Sequence, residues 1–191
     1  MKRMRAVSAA ACLAGLMVAP AFGATCNDIT MPDSVESGGE DLVLNGMGVR
    51  YAPFLGFPVY VAGLYLPERS GDAQAIMDKD QSRRLVMNFV ENVNAASMRA
   101  GMARSLAMNA GELTEALKEP IARFQAAMTG FEKGQVVVFD YVPDRGTVVT
   151  VDGESVTEIE GADFATAWMS IWLGKPPNEE LKTGLLGGGC D

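Results

Sequence analysis

The residue types that could do chemistry are few in this chain, and the missing ones narrow its function first. It has no histidine. That removes the commonest general base and the commonest metal ligand. It also leaves the serines and cysteines without the partner that a nucleophile needs. Gly46-x-Gly48 is too short a glycine pattern for a phosphate cradle. The paired acids Glu179-Glu180 read as a solvated helix face, since acidic residues are almost never buried unpaired. The residue inventory therefore assigns no catalytic residue, no metal ligand and no cofactor.

The elements that must position any site begin after residue 23. Lys2, Arg3 and Arg5 form a basic start, followed by an uncharged run from Ala6 to about Val18. Pro20 breaks that run, and Ala21-Phe22-Gly23 offers small residues where a signal peptidase reads. The run falls short of the roughly 20 apolar residues that span a bilayer. Residues 1–23 are expected to be a cleaved signal peptide, and residues 24–191 a single domain exported to the periplasm, with no stable membrane insertion after processing. Removing the three basic residues leaves 13 Lys and Arg against 24 Asp and Glu, a net charge of −11. Such a balance repels phosphate backbones, so no nucleic-acid partner is expected. Export also places Cys26 and Cys190 in an oxidising compartment. They stand near opposite ends of the mature chain, and chain ends often meet at a domain surface. A Cys26–Cys190 disulfide is expected; the alternative is thiols left unpaired or paired between molecules.

Along the domain, residues 24–41 read as a weakly patterned lead-in, and 42–46 as a short strand ending at a turn. Residues 57–66 form a strong strand, apolar on both faces. A short helix over 71–79 can be capped by Ser70 or Asp72. Leu85, Met87 and Phe89 alternate in a half-buried strand over 84–90. Met98, Met102 and Leu106 make the stripe of a helix over 95–108. Asn109 and Glu112 have capping-box spacing, so a second helix is expected to start there, with Pro120 kinking or splitting it near Glu119. Strands over 136–142, 147–151 and 155–159 follow, joined by turns at 143–146 and Asp152-Gly153. A helix over 162–173 carries Phe164, Trp168, Ile171 and Trp172, and a weaker helix covers 178–186. The order predicts an α+β fold: an antiparallel sheet with helices packed on one face.

Two stretches carry a family likeness. Leu44-Asn45-Gly46-Met47-Gly48-Val49-Arg50 leads to Phe57-Pro58-Val59-Tyr60-Val61-Ala62-Gly63-Leu64-Tyr65-Leu66. Further on, Ile159-Glu160-Gly161-Ala162-Asp163-Phe164 leads to Ser170-Ile171-Trp172-Leu173-Gly174. In order and spacing these resemble the chalcone-isomerase-like family, in particular its exported bacterial branch. The resemblance implies an open-faced sheet with helices over one face and an apolar cleft between them. In the family's catalytic members the cleft closes a flavanone ring, using an Arg after a Gly-x-Gly turn, a strand Thr, a helix Tyr and Asn, and a Thr on the last helix. Arg50 matches the arginine. Tyr60 takes the strand position, Met98 and Ser105 the next two, and Ile171, beside Ser170, the last. One of the five is kept. Preorganised donors of this kind are typically worth a few kcal/mol each, so efficient ring closure is not expected.

The resemblance also points to non-catalytic members similar to fatty-acid-binding proteins, in which the arginine holds a carboxylate. The expected function is accordingly that of a periplasmic binding protein for a small apolar carboxylate. Arg50, Tyr60, Met98, Met102, Ser105 and Ile171 are its candidate ligand contacts. The alternatives are an isomerase or intramolecular lyase using Arg50, and an interaction protein whose cleft is closed.

Overall fold

Residues 23–110, 114–175 and 178–190 are described by a computed structural model. Of the expected signal segment 1–23, residues 1–22 lie outside the described residues, as does Glu112.

The chain builds its sheet as a meander, because each strand is followed by a turn or helix that returns it beside its predecessor. The strands are β3 (Ser34–Ser37), β4 (Glu40–Tyr51), β5 (Pro58–Leu66), β6 (Arg83–Phe89), β7 (Val136–Val142), β8 (Gly146–Val151) and β9 (Glu154–Ile159). They lie side by side in chain order, and every neighbouring pair is antiparallel. Among the described residues five helices complete the fold: α1 (Ala73–Asp78), α2 (Ala95–Asn109), α3 (Glu115–Ala127), α4 (Ala162–Leu173) and α5 (Glu179–Leu185). Their apolar residues and the inward residues of β5 to β9 form one core around Phe124, Phe139, Trp168 and Trp172. The expected α+β sheet with helices on one face is what the chain adopts. Among the described residues no helix is long and apolar enough to cross a membrane.

The other face is covered at one end. The stretch expected to be a lead-in forms β1 (Gly23–Cys26) and β2 (Ile29–Pro32), a hairpin whose Cys26 and Met31 pack on Leu42, Leu44, Met47, Val49, Val61 and Tyr65. A Cβ on Gly63 would lie 2.2 Å from the Met31 sulfur, so glycine there makes room for the hairpin. This second layer is why β5 is apolar on both faces. Cys26 and Cys190 are joined as a disulfide, 164 residues apart in sequence.

Three local expectations need correcting. Asn109 does not start α3: Thr114 is its N-cap. Asn109 ends α2, and its side chain donates to the carbonyls of Ser105 (2.8 Å) and Lys175 (3.0 Å). Pro120 does not split α3, which continues to Ala127. Leu117 before it and Ile121 and Phe124 after it are all buried, and that burial outweighs one missing backbone bond. The third correction is that the strand begun at residue 42 has no turn at Gly46-Met47-Gly48, since β4 runs through to Tyr51.

Those glycines serve packing. A Cβ on Gly46 would stand 2.1 Å from the Gly184 carbonyl oxygen, and one on Gly48 2.4 Å from that of Leu181. Helix α5 thus lies on β4 backbone to backbone. Overpacking costs typically about 1–3 kcal/mol. Gly48→Ala should therefore lower the unfolding free energy by that amount in urea titration; a loss under about 0.5 kcal/mol would contradict the close approach. Replacing both Cys26 and Cys190 with Ser should cost about 2–5 kcal/mol in the same assay, and a neutral result would mean the chain ends hold without the bridge.

Candidate functional site

A strand alternates its side chains between two faces, so Arg50 should share a face with Leu42 and Leu44. It does not, because β4 carries a register shift between Leu44 and Gly46. Asn45 is the extra residue, and it flips everything after it. Leu42 and Leu44 face the β1–β2 hairpin, and so do Met47 and Val49 beyond the bulge. Gly46, Gly48 and Arg50 then face the helices.

Asn45 is buried, and both ends of its amide are engaged. Nδ2 donates to the carbonyls of Ser70 (3.0 Å) and Leu185 (2.7 Å), while Oδ1 accepts from the Ser70 amide (2.7 Å). One side chain thereby ties the bulge to the β5–α1 loop and to the end of α5. At the other end of α5, Asn178 Nδ2 donates to the Val49 carbonyl (3.1 Å), next to Arg50.

Arg50 is paired in register with Tyr60 of β5. The guanidinium is half-buried and bonds the Tyr51 carbonyl. Among the described residues it has no acidic partner within 4 Å. Burial pulls its pKa below the usual value, partly offset by Tyr60. The Tyr60 ring is buried, and its oxygen accepts from the Trp172 indole N–H at 3.1 Å. Burial pushes the phenol up to about 12, against the lowering effects of the Trp172 bond and the Arg50 charge. At neutral pH the hydroxyl keeps its proton and can donate it. A fixed cation and a neutral donor side by side suit an oxyanion.

A family model described as chalcone isomerase-like matches residues 23–187, almost all of the described chain. The chain belongs to the chalcone isomerase-like family. No curated protein matches the sequence. Among solved structures the chain is similar to a fatty-acid binding protein from Arabidopsis thaliana, with a TM-score of 0.66 and 13% identity. The match covers 84% of this chain and 93% of that one. At such identity the likeness is one of fold.

In this chalcone isomerase-like chain the candidate residues gather, but around a filled interior. Tyr60, Met98, Met102 and Ile171 are buried members of a single core, and Ser105 is buried on α2 beside them in sequence. Two cavities, of about 920 and 330 Å³, lie elsewhere, and none of the six candidates lines either. Sequence reading missed Asn45, whose signal is an amide ahead of two mid-strand glycines. It also missed Trp172 as the hydrogen-bond partner of Tyr60; an aromatic on an apolar helix stripe does not announce which ring carries a bond.

Tyr60 makes an alkaline prediction. With the folded pKa about 12 and the unfolded about 10, its burial favours folding fully below pH 10, and that contribution is lost as pH rises from 10 to 12. Unfolding free energy should fall through that window by roughly 1 kcal/mol per pH unit on account of Tyr60. Tyr60→Phe should flatten the profile by that much, and a variant curve parallel to the wild type would contradict the assignment.

Proposed function

We propose that this chain is a non-catalytic periplasmic binding protein for an apolar carboxylate, such as a fatty acid. The observation that carries the reading is Arg50: a half-buried guanidinium on the helix side of the sheet, beside the Tyr60 hydroxyl, with no acidic partner among the described residues. A buried charge needs a counterpart. A carboxylate between Arg50 and Tyr60 receives a charge-assisted bond from one and an ordinary hydrogen bond from the other. The acyl chain then takes up the space that Met98 and Met102 now fill, and methionine is the core residue that repacks most readily. The shared fold with the fatty-acid binding protein from Arabidopsis thaliana supports the ligand class. The basic and apolar N-terminal segment supports export.

The filled interior favours a second reading, an interaction protein whose cleft is closed and purely structural. Nothing at the site favours the isomerase: of the five positions used by catalytic relatives, only Arg50 is kept.

Purified mature protein should release an acyl carboxylate on solvent extraction, and the stripped protein should take up palmitate in calorimetric titration. Arg50→Met should weaken that binding by about 10- to 100-fold, as loss of a hydrogen bond to a charged group implies. A protein that neither carries nor takes up palmitate sinks the binding reading in favour of the closed interaction protein. Turnover abolished in a folded Arg50→Met chain would restore the enzyme.

A further inference from the structure

Strand β6 holds a charge where its alternation calls for an apolar side chain. Arg83 has the same parity as Leu85, Met87 and Phe89, all buried toward the helices, and it is itself only 1% exposed. Its Nη1 donates to the Ile76 carbonyl at 3.0 Å, and the Tyr141 ring lies 5.1 Å from the guanidinium carbon. Nε and Nη2 are buried with no hydrogen-bond partner, and no carboxylate stands within 4 Å among the described residues. Those two atoms form one edge of the guanidinium plane, the edge that takes a carboxylate through two parallel bonds. A buried orphan of this kind calls for a partner.

Arg83 also lines the cavity of about 920 Å³ between α1, the end of α2 and α4. That volume is within the range of about 300–1,000 Å³ usual for small-molecule sites. Met77, Leu117 and Ala167 give it an apolar wall. Three acids share the lining, but each is exposed and engaged. Asp80 accepts from the Tyr141 hydroxyl (2.5 Å), Asp78 from the Gln74 amide (2.8 Å) and Asp163 from the Phe164 amide (2.9 Å). Lys79 and Lys175 stand on the same rim, exposed.

We propose that this cavity is a second ligand site, separate from Arg50, for an organic acid: its carboxylate bonds Nε and Nη2 of Arg83, and its apolar body lies along Met77, Leu117 and Ala167. Because both nitrogens are screened from bulk water, docking turns lining side chains aside, a modest change common on binding. The apolar wall selects an organic acid over an inorganic oxyanion.

Methionine methyl NMR separates this site from the first, since Met77 and Met108 line the cavity while Met98 and Met102 lie in the core with Tyr60. Mature protein labelled at its methionine methyls is titrated with octanoate and, separately, with octan-1-ol. Octanoate should shift Met77 and Met108 saturably, and the alcohol should bind at least about tenfold more weakly. Arg83→Met should abolish the shift, and Arg50→Met should leave it in place. The proposal is overturned if octanoate at millimolar concentration leaves Met77 and Met108 unmoved, if the alcohol matches the acid, or if Arg83→Met binds as well as the wild type. Shifts confined to Met98 and Met102 overturn it too, while supporting the Arg50 site. Should Arg83→Met fail to fold, the comparison of acid with alcohol on the unaltered chain decides alone.

Discussion

The extra residue at Asn45 is the constraint on which the rest of the site depends. Strand geometry alone would send Arg50 to the face covered by the β1–β2 hairpin, into the company of Leu42 and Leu44. A bulge there leaves polar groups to satisfy inside the protein, and the Asn45 amide is spent on the β5–α1 loop and on α5. The same event turns Gly46 and Gly48 toward the helices, where the absence of side chains lets α5 lie directly on the strand. Bulge, glycine pair and arginine therefore work as one device. The amide fixes the change of face, the glycines admit the helix, and the arginine arrives beside Tyr60.

What surrounds that arginine limits its chemistry. Tyr60 is held by Trp172, and the neighbouring positions are buried core. A cation and one neutral hydroxyl can hold an anion. The methionines on α2 give the interior a pliability that a wall of leucines would lack. Arg83, at the other end of the same core, shows a similar economy: a charge kept inside, one bond to backbone, an aromatic ring beneath it, and an edge left over.

Much of the fold was legible because its signals are local. The helix over 162–173 has its stop signal in Gly174, and its predicted span is the one observed. The alternation in β6 and β7 and the Asp152-Gly153 turn depend on neighbours within a few residues. Structure and local signal part where the deciding contact is distant. A glycine pair signals either a turn or a close approach; here the approaching backbone is α5, some 140 residues on. Asn109 reads as a helix start, but Lys175 engages it as part of a helix end. A charged residue at the head of β6 masks its own inward parity, because alternation is read from apolar residues. Whether an apolar cleft is open or filled has no sequence signature, because Met98 and Met102 suit either state.

Asn45 puts Arg50 on the helix side of the sheet. The most direct check is a nuclear Overhauser spectrum of the mature protein with arginine and aromatic side chains assigned. Contacts from the Arg50 side chain to the Tyr60 ring, together with contacts from the Gly48 α-protons to Leu181, are the predicted result. Contacts from Arg50 to Val61 or Met47 instead, on the hairpin side, would place the arginine on the opposite face and rule out a change of face at Asn45.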